Sequence, residues 1–179
     1  MSATAAGAAV AYSAVMNPST DLPTADLYDE HLDALEVLAL PWRSFGGRRR
    51  FQGPAQTVRC FNDNTMVRAQ LETPGDGRVL VVDGAESGTH ALLGDRLGEL
   101  GVGNGWAGLV IAGYVRDTAA LAQLDLGVAA LGSIPRKSRK EDSGVVGDQV
   151  VIGGGRVAPG DTVVVDGDGV VVLPAALLD

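Results

Sequence analysis

The chain reads as an α/β protein, a mixed sheet plus a small antiparallel sheet, with two sheet layers and helices on an outer face. Three observations predict this. Residues 78–135 alternate strand and helix patterns in a βαβαβ rhythm, as a partly parallel sheet requires. Within that stretch RVLVVD (78–83) and GLVIAGYV (108–115) are continuous apolar runs, the pattern of strands covered on both faces. After residue 149 the character changes to short β runs at 150–152, 156–157, 162–165 and 170–173. Gly-Gly-Gly, Pro-Gly-Asp and Asp-Gly-Asp-Gly turns separate them, which makes a meander.

In chain order, residues 1–20 are rich in Ala, Ser and Thr and contain no Lys or Arg, so they lack the basic start of a secretory signal. Their longest apolar stretch, 8–15, is too short to span a bilayer. A mobile tail over 1–20 and a single domain over 21–179 are expected, with no membrane partner. Next, Thr24 is placed to cap a helix whose apolar face is Leu27, Leu32, Leu35 and Leu38. FGGRRRF (45–51) marks a turn, 56–61 alternates as a strand, and 64–71 suits a short helix ended by Pro74 and Gly75.

A loop at 84–88 leads into a helix expected over 89–100, with Leu93, Leu97 and Leu100 on one face. Gly94 interrupts it. A glycine inside a helix costs about 1 kcal/mol relative to alanine, so either the helix begins near Gly94 or something must approach the backbone there. A Gly-rich turn at 101–105, a strand at 109–114, a helix opening at Asp117 and a third strand in LGVAALGSIP follow.

At 179 residues and 46% hydrophobic, the chain can bury one sizeable core. A net charge of -8 argues against a direct nucleic-acid binder, whose affinity rests on clustered cations. Two local basic clusters, Arg48 to Arg50 and Arg136, Lys137, Arg139, Lys140, read as solvated loops. The single cysteine, Cys60, excludes an intramolecular disulfide and fits a reducing, cytoplasmic setting; it reads as a buried, inert thiol.

Several chemistries lack their residues. The glycines at 101–105 close a helix and open a strand, the reverse of a dinucleotide fingerprint. Two distant histidines, His31 and His90, make a poor zinc cluster or Ser-His-Asp triad. The only lysines, Lys137 and Lys140, sit in a charged run where a lowered pKa is hard to arrange, so a Schiff base is not favoured. Carboxylates remain. Residues 94–117 would fold so that Gly94, Asp95, Arg96 and Leu97 face Arg116 and Asp117 across one cleft. By position alone Asp117 reads as a helix N-cap, and Arg116 as a surface cation or an ion-pair partner of Asp95. The alternative is that Asp117 helps hold a hard divalent cation while Arg116 grips an anionic substrate.

The blocks DLYDEH, FGGRRRF, GPAQTVRCF-DN, GRVLVVDG, ALLGDRLGELGVGNGWAGLVIAGYVRD, LGVAALGSIPRKS and PGDTVVVDGDGVVV, in this order, resemble the RraA-like family. That family includes regulators of ribonuclease E activity and class II 4-hydroxy-4-methyl-2-oxoglutarate aldolases. The resemblance implies a three-layer β/β/α swivelling-domain fold and homotrimers, sometimes paired into hexamers. Its aldolases carry Asp, twenty residues, then Arg-Asp, matched here by Asp95, Arg116 and Asp117. By that match Gly94, Asp95, Arg96 and Leu97 bind a small 2-oxo acid, Arg116 contacts it, and Asp117 holds Mg²⁺ or Mn²⁺ largely through waters. The implied activity is carbon–carbon cleavage releasing pyruvate, with oxaloacetate decarboxylation. The non-catalytic members imply a different role, a regulator with a ribonuclease as partner. Two departures bear on substrate choice: the loop Gly84-Ala85-Glu86-Ser87 is less Gly-rich than in relatives, and Ala120 stands where some aldolases place an acid.

Overall fold

The computed structural model describes residues 23–177; the tail expected over 1–20 lies outside them. Strand β3 (Phe51–Arg59) joins the two sheet layers. Its first half pairs antiparallel with β11 (Thr162–Val165), and its second half pairs parallel with β4 (Val79–Asp83). The change of partner falls at Pro54 and Ala55, where a proline's missing N–H is tolerated because ladder pairing is changing hands. Beyond β4 the parallel layer continues through β6 (Gly108–Val115) to β7 (Gly127–Ser133), with β5 (Ala91–Leu93) added beside β6. The short β2 (Arg43–Ser44) closes its edge antiparallel to β7. In the other layer β12 (Val170–Leu173) lies between β11 and β1 (Glu36–Val37). A further strand, β8 (Val145–Val146), pairs with β3, and β9 (Val150–Ile152) and β10 (Gly155–Val157) form a hairpin.

Strand alternation sorts the apolar side chains into three cores. From β4, Leu80 and Val82 point to helices α2 (Thr65–Leu71), α3 (Asp95–Gly103) and α4 (Thr118–Leu121), where Val67, Leu71 and Leu121 are buried with them. Val79 and Val81 point the other way and meet Val163, Val165, Val170 and Val172 of the antiparallel layer. That layer's outer face, Val164, Val171 and Leu173, is covered by Leu27 of α1 (Thr24–His31) and by Leu35. The β/β/α layering is therefore as expected, with α1 as an additional cover on the far side.

Four local expectations are corrected. Helix α1 stops at His31, so Leu35 and Leu38 reach the core from beyond it. Thr24 is its first helical residue, not its cap; its N–H and hydroxyl both donate to Asp166, at 2.7 Å each, a carboxylate supplied from 142 residues away. The stretch 89–100 is not one helix. Ala91, Leu92 and Leu93 are buried as β5 because they can extend the parallel layer, and Gly94, extended at φ -134°, separates them from α3. Likewise the helix after Asp117 is a single turn.

Candidate functional site

Parallel strands deliver their C-terminal ends to one edge of the sheet, and the loops there converge. The turn after β3 brings Asn64, the β5–α3 junction brings Gly94 to Leu97, the end of β6 brings Arg116, and the segment after β7 brings Lys137 and Lys140. Together they line a cleft of about 210 Å³. A larger hollow of about 400 Å³, lined by Trp42, Arg49 and Phe51, contains none of the predicted site residues. The convergence of ionic groups, not volume, marks the smaller cleft as the candidate site.

Asp117 does not behave as an ordinary cap. Its backbone is left-handed, φ 55° and ψ 41°, and its side chain makes no capping bond to α4. Left-handed geometry costs a non-glycine residue about 1–2 kcal/mol. The turn instead aims the carboxylate at the start of α3, behind the Gly94, Asp95 and Arg116 that line the cleft and not itself among the lining residues; there Oδ2 accepts from the Asp95 N–H at 3.3 Å and lies 3.4 Å from Nε of Arg116. Arg116 pairs with its neighbour in sequence and not with Asp95. Its main chain is fixed by an N–H donated to the Leu93 carbonyl, 2.9 Å. A Cβ at Gly94 would lie 2.6 Å from Asp117 Oδ2, so both readings of that glycine hold: the helix starts there and a side chain approaches its backbone. Asp95 opens α3 with Oδ1 accepting from the Arg96 N–H at 2.7 Å. The Asp117 carboxylate thus meets the Arg116 guanidinium and the main chain of Asp95, while the Asp95 carboxylate turns to the Arg96 N–H.

The far wall is cationic in a chain of net charge -8. Arg96, Lys137 and Lys140 line the cleft together with Arg68, while Arg139 is not among its walls. Lys140 donates to Asn64 Oδ1, and the Asn64 amide donates to the Leu92 carbonyl at 3.1 Å. Desolvation, and then the charge of Arg68, push the Lys140 ammonium below the usual lysine range, with Asp63 opposing and Arg116 and Lys137 adding to the effect. The Lys140 pKa is therefore lowered, contrary to the sequence expectation, because folding desolvates this lysine and places Arg68, from outside the charged run, beside it. Cys60 is buried, and burial pushes its thiol up to about 12, as an inert cysteine requires.

Asp63, Asn64 and Arg68 escaped the sequence reading. The available signal was the polar Asn-Asp-Asn immediately after a strand, at a site where loops of a parallel layer converge. Asp63 is fully buried. Burial alone would raise its pKa, but hydrogen bonds from the hydroxyl and N–H of Thr65 and from the N–H groups of Glu141 and Ser143 outweigh it and hold the carboxyl at about 2. In the less Gly-rich loop noted above, Ala85 and Glu86 are both left-handed, φ 54° and 57°, a geometry glycine adopts without strain.

Among the described residues no three His, Cys, Asp or Glu side chains form a metal cage. Magnesium does not require one, since it commonly keeps several waters and takes one or two carboxylates together with substrate oxygens. Asp117 suits that role: its carboxylate is partly exposed, and its protein contacts are at 3.3 and 3.4 Å, longer than strong charge-assisted bonds. His31 and His90 do not line the cleft.

These features define a class, an α/β domain with a cation-walled cleft at the ends of its parallel strands. The chain belongs to the RraA-like family, whose model (Aldolase/RraA) matches residues 24–172. It is 49% identical to a protein of Laribacter hongkongensis (strain HLHK9) provisionally named 4-hydroxy-4-methyl-2-oxoglutarate aldolase, over 88% of this chain and 99% of that one. It is 50% identical to a Burkholderia mallei (strain SAVP1) protein of the same provisional name, over 87% and 98%. Among solved structures it resembles one from Geobacillus kaustophilus HTA426 described as an S-adenosylmethionine:2-dimethylmenaquinone methyltransferase, with TM-score 0.83, 48% identity and coverage of 85% and 94%. The RNA-processing inhibitor RraA from Thermus thermophilis also superposes with TM-score 0.83, at 42% identity and coverage of 87% and 94%. Relatives this similar carry three different functional names, so the activity must be argued from the site.

Proposed function

We propose that this chain is a divalent-metal-dependent pyruvate aldolase that cleaves 4-hydroxy-4-methyl-2-oxoglutarate-type substrates and decarboxylates oxaloacetate. One observation carries the reading: the Asp117 carboxylate is held in a strained turn, uncommitted to helix capping, between Arg116 and the first N–H of α3. The names of the aldolase relatives support it. Mg²⁺ or Mn²⁺ held by Asp117, largely through waters, would supply Lewis-acid polarisation of the 2-oxo group. The protein's own groups do the rest. The planar fork of Arg116 binds the oxo acid and steadies charge developing on its oxygen. The Asp95 and Arg96 N–H groups that open α3 hold the carboxylates of Asp117 and Asp95 in place. Asp95 orients a water that takes the proton of the C4 hydroxyl as the C3–C4 bond breaks; C4 leaves as the carbonyl of one pyruvate, the bonding pair stays on C3 as the enolate of the other, and that enolate takes a proton back from the water at C3. Decarboxylation needs no such base. Arg96, Lys137 and Lys140 draw the dianion into the cleft.

The test is pyruvate release from oxaloacetate and from 4-hydroxy-4-methyl-2-oxoglutarate. Activity is expected with Mg²⁺, lost in excess chelator and restored by metal. Full activity in chelator, or borohydride trapping of pyruvate on Lys137 or Lys140, would refute the mechanism. A homotrimer or hexamer in the cytoplasm is part of the proposal. The second reading, a non-catalytic regulator that binds a ribonuclease, is favoured by the description of the Thermus relative. Capture of a nuclease together with no pyruvate release would select it.

A further inference from the structure

Asp63 is a fully buried carboxylate that the proposed reaction does not use. Its Oδ1 accepts from the N–H and hydroxyl of Thr65, at 2.8 and 2.6 Å, in the first turn of α2. Its Oδ2 accepts from the Glu141 N–H at 2.6 Å, and more distantly from the N–H and hydroxyl of Ser143, at 3.4 and 3.3 Å. A helix start needs only one side-chain acceptor, which Ser or Thr can supply. Here the second oxygen reaches a segment 78 residues away that carries Lys140. The Arg139 N–H donates to the Asn62 carbonyl at 2.8 Å, so both strands of the junction are tied. Lys140 in turn donates to Asn64. The Asn64–Lys140 pair on the cleft wall is therefore held at both ends by one side chain, next to Asn64 along the chain and bonded next to Lys140 through space.

We propose that Asp63 is a positioning residue for the cleft, a two-sided clamp that holds Lys140 and Asn64 facing Arg116 so that a bound dianion meets cations on both walls. This rests on the cleft being the substrate site. Asparagine at 63 keeps the shape but offers an NH₂ where an acceptor is needed, so it closes on one side only. Serine keeps an acceptor for Thr65 and cannot span to Glu141.

The experiment compares the full chain with Asp63→Asn, Asp63→Ser, Lys140→Ala and the double variant Asp63→Asn/Lys140→Ala, by amide hydrogen exchange and by kinetics of pyruvate release from oxaloacetate in Mg²⁺. Exchange over 136–143 is expected to quicken about tenfold in both Asp63 variants while the parallel strands stay protected. KM is expected to rise about tenfold with kcat within about twofold, and the double variant to match Lys140→Ala within about twofold, because Asp63 acts through Lys140. Unchanged exchange over 136–143, or penalties that multiply in the double variant, overturns the clamp. If Asp63→Asn does not fold, Asp63→Ser and its double with Lys140→Ala carry the same comparison. If the wild-type chain releases no pyruvate, the reading of the cleft falls, and exchange over 136–143 alone decides the clamp.

Discussion

At Gly94 an added methyl would sit 2.6 Å from Asp117 Oδ2 and 3.3 Å from Nε of Arg116. Gly94→Ala is therefore expected to keep the fold but displace the carboxylate and the guanidinium together, lowering the rate of pyruvate release about 100-fold, since misplacement near 1 Å has that effect. Thermal melting beside the kinetics checks it; loss of fold in step with loss of rate would remove the argument. Arg116→Lys keeps the charge and loses the fork, and a rate at least about tenfold lower is expected. A rate equal to wild type would show that only the charge at 116 matters. Local pattern singled out Gly94 as a glycine in an apparent helix, but by position it read Asp117 as a cap and Arg116 as a surface cation; the site roles expected for Asp95, Arg116 and Asp117 came from the family resemblance. The sequence reading could not find Asp63 or Arg68, whose roles depend on which loops converge, a property of sheet order and not of local pattern.

Among the elements, α1 has no cap of its own and depends on Asp166 from the turn between β11 and β12. Asp166→Ala is expected to destabilise the fold by about 1–2 kcal/mol and to loosen α1 first, as hydrogen exchange would show; unaltered exchange in α1 would contradict this. The Asp63 clamp ties α2 to the segment after β7 and makes a pH prediction. Its carboxyl titrates at about 2 in the folded chain against an ordinary 3.8. A depressed pKa contributes stability that is complete above the ordinary value and is lost as pH falls toward 2. Urea midpoints measured from pH 5 to pH 2 should fall over that window, and less steeply in Asp63→Asn; equal slopes would contradict the assignment. Strands 78–83 and 108–115 were legible because burial on both faces leaves a continuous apolar run. Strand β5 was not, because three residues cannot display a period and Leu93, Leu97 and Leu100 imitate a helix across Gly94.

For the whole molecule, the acidic surface and the basic cleft are complementary facts: a chain of net charge -8 gathers Arg68, Arg96, Arg116, Lys137 and Lys140 around one hollow. Such a field suits the small dianion of the proposed reaction, whereas a nucleic-acid backbone calls for cations spread along a face. No helix among the described residues is long and apolar enough to cross a membrane. Large apolar side chains remain exposed at Leu32, Phe61 and Val151, and a trimer is expected, with a solution mass about three times 18.3 kDa, or a pair of trimers at twice that. A monomer by light scattering would contradict it. The central claim concerns one carboxylate, and the most direct test is pyruvate release from oxaloacetate by wild type and Asp117→Ala, side by side at the same Mg²⁺ concentration. Magnesium-dependent release by wild type, with the variant reduced to the uncatalysed rate while still folded, is the predicted result. A folded Asp117→Ala that works as fast as wild type would contradict it.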